Sequence, residues 1–188
     1  MSPTAAAASS VLPDTGLPRV TLVLGGARSG KSRFAESLVE SHDGSHAYIA
    51  TAHAGDAEMA ERIRRHRARR GVGWTNIEEP LDLPGAVLSA TRDGAAVLAD
   101  CLTLWLSNLM AAGLDIEDRT ATLIQALPRL GGPVVFVSNE VGLGIVPDNA
   151  LARAFRDHAG RMHQTIAAAA DRVYLVTAGL PQLLKDTR

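Results

Sequence analysis

Residues 20–32 read V-T-L-V-L-G-G-A-R-S-G-K-S, and the way this stretch has to fold decides the architecture around it. Val20 to Leu24 is a short apolar run rich in β-branched residues, which predicts a buried strand. Gly25 to Ser32 matches G-x-x-x-x-G-K-[ST] in full, and Lys31 to His42 predicts a helix. A loop wrapped around polyphosphate takes backbone angles closed to residues with a Cβ, and it turns successive N–H groups inward onto the anion. Lys31 brings a mobile positive charge for the β and γ phosphates, Ser32 a hydroxyl for Mg2+, and the positive end of the helix faces the same phosphates. A Gly-rich strand-to-helix turn also arises by chance. Here strand, loop and helix follow one another in the order that nucleotide binding requires.

Further apolar runs at His46–Ala50, Ala96–Asp100, Val134–Ser138 and Val173–Thr177 alternate with segments of helical pattern. Helices are expected over Asp56–Arg70, Leu102–Ala112, Glu117–Leu130 and Asp148–Ala170, the last with Leu151, Phe155, Met162 and Ile166 on one apolar face. Such alternation predicts an α/β fold, a mostly parallel sheet with helices on both faces. In sheets of this kind ligands bind beyond the carboxyl ends of the strands. The positions to inspect are therefore the phosphate loop, Ala50-Thr51-Ala52, Asp100, and Ser138 to Gly142. Asp100 reads either as a strand-end carboxylate for Mg2+ or as an N-cap of the helix starting at Leu102. Glu140 is the rival carboxylate.

Asp56 is placed to cap a helix running through E-M-A-E-R-I-R-R-H-R-A-R-R, with glutamates early and arginines late, as the helix dipole favours. Met59, Ile63 and His66 share one face, which looks inward. Six arginines lie between Arg62 and Arg70. Such a run is commonly a solvated face, and a histidine on an apolar face is commonly a hydrogen-bonded core residue. Beside a phosphate loop, the same charge suits a second anionic ligand, and unprotonated imidazole is a competent nucleophile toward phosphorus.

The 188 residues are 46% hydrophobic and 21% charged with a net charge of −1, which fits one globular domain and argues against a broad nucleic-acid or membrane surface. No apolar stretch approaches the length of a membrane span, and the start lacks the pattern of a secretion signal, so a cytoplasmic enzyme is expected. Residues 1–18, dominated by Ala, Ser, Pro and Thr, are expected to form a mobile extension before a catalytic domain at 19–188. The single cysteine, Cys101, is expected to be a buried reduced thiol.

G-G-A-R-S-G-K-S, Y-I-A-T, the arginine-rich block, and S-N-E-V-G-L-G-I-V-P-D-N with the following L-A-R-x-F-R-D-x-A-G-R resemble the bifunctional adenosylcobinamide kinase and adenosylcobinamide-phosphate guanylyltransferase family of cobalamin synthesis. The likeness spans about residues 20 to 185. It implies a single-domain P-loop fold with a RecA-like sheet, and a typically trimeric assembly. It implies phosphorylation of adenosylcobinamide with ATP or GTP, then transfer of GMP from GTP through a covalent histidine adduct to give adenosylcobinamide-GDP. By position in the block, that histidine is His66. Nucleotide contacts carry over to Gly25, Gly26, Ala27, Arg28, Ser29, Gly30, Lys31 and Ser32; to Ala50, Thr51 and Ala52; to Arg67, Ala68, Arg69 and Arg70; and to Glu78 and Asp100. Ser32 and Asp100 are the expected Mg2+ ligands. Gly71 stands where family members usually carry proline, and Asp100 where others carry glutamate. The other readings are a P-loop small-molecule kinase without guanylyl transfer, a GTP-binding switch, and a nucleic-acid motor. The chain has no N-K-x-D motif for the switch and no interleaving of aromatic and basic residues for the motor.

Overall fold

A computed structural model of the chain describes residues 16–52 and 73–187. Strand β1, Val20–Gly25, is buried along its whole length and leads into helix α1, Lys31–Glu40. There follow β2, His46–Ala50; β3, Trp74–Glu78; α2, Leu83–Ala90; β4, Ala96–Asp100; α3, Leu102–Ala111; α4, Ile116–Ala126; β5, Val134–Asn139; α5, Ala150–Ala169; β6, Arg172–Thr177; and β7, Leu180–Asp186. The strands form one sheet in the order β3-β2-β4-β5-β1-β6-β7, parallel throughout except that β7 runs antiparallel to β6.

Alternating side chains feed two cores, because successive residues of a strand point to opposite faces. Leu22, Ile49, Val97 and Phe136 pack under α2, α3 and α5, with Trp105, Leu109 and Ile166 as large buried partners. Val23, Tyr48, Leu98 and Val137 pack on the other face with Ala35, Leu38 and Val39 of α1. Burial on both faces is why the interior strands are largely apolar, Thr21, Ser138 and Arg172 being buried exceptions. Leu17 packs against the second core and Pro18 is buried.

The seven strands include two that the apolar runs did not mark. Both lie at the sheet edges. β3 (W-T-N-I-E) and β7 (L-P-Q-L-L-K-D) are largely exposed, so neither needs a continuous apolar sequence. Pro181 and Lys185 also suit an edge strand. The buried Arg172 guanidinium pairs with Asp186 at 2.8 Å across β6 and β7, and Lys185 Nζ donates to the carbonyls of Ala167, Ala168 and Ala170 at the end of α5.

Helix α4 ends at Ala126 rather than continuing to Leu130, because Pro128 removes a donor and forces a 3-10 turn at Leu127–Arg129. Arg19 takes up the carbonyls of Leu127, Pro128 and Leu130 there. α2 was not anticipated; its Asp82 N-cap accepts from Gly85 N, and Pro84 stands in the first turn. α5 starts at Ala150, capped by Asn149. Its expected apolar face holds for Met162 and Ile166, but Leu151 in the first turn is 71% exposed. The helix expected over Asp56–Arg70 lies outside the described residues, as do residues 1–15 of the expected extension.

Candidate functional site

The phosphate loop leaves the carboxyl end of β1, between β5 and β6. Gly25 is required by close approach: a Cβ there would lie 2.5 Å from Ser29 Oγ and 2.6 Å from the Val176 carbonyl. Gly30 has φ +94°, a left-handed angle that brings the chain into α1, and Gly179 Cα lies 3.1 Å from where its Cβ would be. Arg28 is also left-handed, with φ 57°. Gly179 N donates to Ser29 O at 2.7 Å, so the β6–β7 turn buttresses the loop from outside. No side chain caps α1, and its first turn holds no acidic residue. Its first N–H groups and the positive end of its dipole are thus left facing the loop. Lys31 is buried and its Nζ donates to Gly26 O at 3.1 Å, closing a ring over the loop. Ser29 Oγ is buried there with no hydrogen-bond partner among the described residues.

The neighbouring strand ends form one carboxyl edge. Gly25 is in register with Asn139, Asp100 with Val137, and Ala50 with both Asp100 and Glu78. Asp100 is partly exposed, and Tyr48 Oη donates to its Oδ2 at 3.3 Å. It does not cap α3: the N-cap is Cys101, with no side-chain capping bond. Glu140 N donates to Gly25 O at 3.0 Å, and Glu140 Oε1 accepts from Gly142 N at 2.5 Å, so one oxygen of this partly exposed carboxylate shapes its own loop. Ala50 is buried, Ala52 partly buried, and Glu78 exposed at the end of the edge strand.

Thr51, expected at the nucleotide, has its hydroxyl and carbonyl engaged within the fold. It is fully buried; its hydroxyl donates to Cys101 O at 2.8 Å and accepts from Cys101 N at 2.9 Å. Asn108 Nδ2 then donates to Thr51 O at 2.7 Å and to Pro80 O at 3.1 Å. Thr51 and Asn108 together fasten the ends of β2 and β4 to the segment after β3. Asn139 Nδ2 donates to Thr103 Oγ1 at 3.0 Å, which also contacts Cys101 Sγ at 2.9 Å. Burial, reinforced by the charge of Asp100, pushes the Cys101 thiol above its ordinary range, which fits a buried reduced cysteine rather than a nucleophile.

At the end of β5, Ser138 Oγ lies 2.7 Å from His163 Nε2 of α5, both buried. Burial lowers the His163 pKa below its ordinary value, while the nearby Glu140 charge acts in the opposite sense. Sequence reasoning missed Tyr48, Asn108 and the Ser138–His163 pair. Asn108 does carry a signal, as a lone amide inside L-T-L-W-L-S-N-L-M, where a polar residue near the core needs partners. His66, Arg67, Ala68, Arg69 and Arg70 lie outside the described residues.

A parallel sheet whose β1 ends in this loop, with strand-end carboxylates beside it, defines a P-loop nucleotide-binding protein of RecA-like α/β fold. The fold is shared with the flagellar accessory protein FlaH of Methanocaldococcus jannaschii (TM-score 0.55, 14% identity, covering 91% of this chain and 80% of that one). It is also shared with a prototypical type III secretion system ATPase of pathogenic bacteria (TM-score 0.57, 12% identity, 89% and 59%). The chain belongs to the cobinamide kinase / cobinamide phosphate guanyltransferase family, CobU, whose model matches residues 21–184. It is similar to the bifunctional adenosylcobalamin biosynthesis protein CobP of Pseudomonas aeruginosa, 48% identical over 166 residues that cover 87% of this chain and 96% of that protein. It is likewise similar to the bifunctional adenosylcobalamin biosynthesis protein CobU of Salmonella typhimurium, 41% identical over 179 residues that cover 87% and 98%. No helix among the described residues is long and apolar enough to cross a membrane.

Proposed function

We propose that the chain phosphorylates adenosylcobinamide from ATP or GTP and then transfers GMP from GTP to that phosphate, yielding adenosylcobinamide-GDP and pyrophosphate. The observation that carries this reading is a family match across nearly the whole chain, on a sheet whose phosphate loop is built for a triphosphate. In the first transfer the acceptor hydroxyl oxygen attacks the γ phosphorus and gives up its proton to solvent while the bond to the β-phosphate oxygen breaks, leaving the nucleoside diphosphate. Lys31 and the open N–H groups of α1 neutralise the charge that accumulates. Ser32 and Asp100 are hard oxygen donors at partly exposed positions, a set that fits Mg2+ shared with nucleotide phosphates. Asp100 is taken as the metal carboxylate and Glu140, one of whose oxygens accepts from Gly142 N, as its rival. When bound, Mg2+ supplies further charge neutralisation at the phosphates.

In the second transfer the unprotonated imidazole of His66 attacks the α phosphorus of GTP and expels pyrophosphate. An oxygen of the acceptor phosphate then displaces the imidazole from phosphorus. Arg67, Arg69 and Arg70 supply positive charge to the phosphates, and Ala68, Ala50, Ala52 and Glu78 border the nucleotide. The hydroxyl and carbonyl of Thr51 are already engaged, so Thr51 acts by holding Ala50 and Ala52 in place. The assembly is a homotrimer in the cytoplasm, and neither nucleic acid nor a membrane is a partner.

Incubation with GTP labelled at its α phosphate tests the reading. Wild type takes up a protein-bound label that is acid-labile and alkali-stable, as a phosphoramidate is, and His66→Ala loses it while still phosphorylating adenosylcobinamide. A wild type that never takes up label leaves a plain kinase in its place.

A further inference from the structure

The segment from Glu140 to Asn149 leaves the end of β5, beside the phosphate loop, and leads into helix α5, and it presents more apolar surface than its position explains. Leu143 is 87% exposed, Ile145 97% and Val146 61%, with Leu151 just beyond. Between this segment and the outer face of α5 runs an open groove of about 520 Å³. Gly142 and Val146 line one wall, and Arg156, Gly160, Arg161 and Gln164 the other. A Cβ on Gly160 would meet nothing within 4 Å, so the floor is open beneath the two arginines. The groove adjoins the loop that takes the nucleotide: Gly142 is tied to Glu140, whose N–H donates to Gly25 O at 3.0 Å.

We infer that this groove is the acceptor subsite and takes the edge of the corrin ring and its amide arms. The inference rests on the reading of the acceptor as a cobinamide. Such an acceptor is a wide apolar ring fringed with amides, and it has to lie next to the phosphate loop because its hydroxyl receives the γ phosphoryl group. The groove matches it in kind. On the loop wall the Val146 side chain covers a ring edge, and the flanking Gly142 and Gly144 let a flat ring approach the backbone. The guanidinium groups of Arg156 and Arg161 and the amide of Gln164 donate to amide carbonyls, and the Asp157 carboxylate accepts from an amide N–H. The arginines have donors to spare for this role. Arg156 meets Asp157 at 3.9 Å, and Arg161 meets the exposed Glu117 at 3.7 Å and His158 Nδ1 at 3.2 Å, contacts that among the described residues leave most of five N–H groups per guanidinium uncommitted. The size also agrees: the volume falls within the range of sites for large ligands, beyond the need of a small alcohol.

The test uses the full chain with the double variant Arg156→Gln/Arg161→Gln and, separately, Val146→Asn, a change at an exposed position that leaves the fold intact. For each, KM is measured for cobinamide in the kinase reaction and for cobinamide phosphate in the guanylyl transfer, along with KM for the nucleotide and binding of cobinamide alone by equilibrium dialysis. KM for both corrinoids is expected to rise about tenfold or more, the loss of one or two charge-assisted hydrogen bonds. Cobinamide binding should weaken to match, with nucleotide KM and labelling by GTP unchanged. Unchanged corrinoid KM in both variants overturns the subsite. A rise confined to cobinamide phosphate overturns it in favour of a phosphate contact, and a change in oligomeric state without a change in KM assigns the face to contact between copies of the chain. A wild type that turns over no cobinamide refutes the acceptor reading itself, separately from the location of its subsite.

Discussion

Replacing Thr51 by valine removes a hydroxyl of almost the same shape from a fully buried position, so the loss can be worked from hydrogen bonds alone. Two bonds disappear, but they are not equivalent. Cys101 O loses the Thr51 hydroxyl yet keeps Leu104 N and Trp105 N, each at 3.1 Å, so this acceptor stays satisfied. Cys101 N–H loses Thr51 Oγ1 and is left buried with no other partner among the described residues. One orphaned buried N–H costs about 1–3 kcal/mol. For a chain of this size that lowers Tm by about 2–12 °C. Thr51→Ser keeps both bonds and loses one buried methyl, worth about 0.8 kcal/mol. The expected order of Tm by calorimetry is therefore wild type, then serine, then valine, with the valine variant also raising KM for the nucleotide because Ala50 and Ala52 lose their anchor. If valine matches wild type while serine is less stable, the site is simple packing and the hydrogen-bond argument fails.

Lys31→Ala should lower kcat/KM of both transfers about 10²- to 10³-fold, the usual effect of deleting one preorganised electrostatic donor; kinase kinetics near those of wild type would mean that the triphosphate binds elsewhere. Asp100→Asn keeps the shape and removes the charge, so a Mg2+ titration should show its activation midpoint moved to higher concentration, and an unmoved midpoint would shift the assignment to Glu140. His163 has a folded pKa depressed by burial below the ordinary 6.5, so its contribution to stability is present above that value and is lost as pH falls through the folded pKa. Chemical denaturation from pH 7.5 down to about 5 should show wild type losing stability faster than His163→Gln, and parallel curves would place the acid sensitivity elsewhere.

How far the sequence can be read depends on where each segment meets water. β1 and β5 were legible because strands buried on both faces are built almost wholly of apolar residues, with Thr21 and Ser138 as their buried polar exceptions. β3 and β7 were not, since an edge strand keeps its ladder with residues such as Asn76, Gln182 and Lys185 that the apolar criterion rejects. The phosphate loop was legible for a separate reason: its geometry is enforced within eight successive residues, as the contact awaiting a Cβ on Gly25 illustrates.

The support around that loop was illegible because its partners meet only in the fold. Asn108 and Thr51 are 57 residues apart, and His163 and Ser138 are 25 apart, so no local period links them. One regularity does connect them. Thr51, Asp100, Ser138 and Asn139 each stand at or just after the carboxyl end of an interior strand, where the sheet stops covering the backbone and polar groups have to find side-chain partners. At β2 and β4 that need is met by the Thr51 and Asn108 bonds, and at β5 by His163 and Thr103. Asp100 is partly exposed, and among the described residues the Tyr48 hydroxyl engages one oxygen of its carboxylate. A strand end whose side chain is consumed by the fold holds its neighbours in position, and one whose charge still faces the mouth is available to a ligand. That difference underlies the proposal that Thr51, expected to contact nucleotide, positions its neighbours while Asp100 meets the phosphates and their cation.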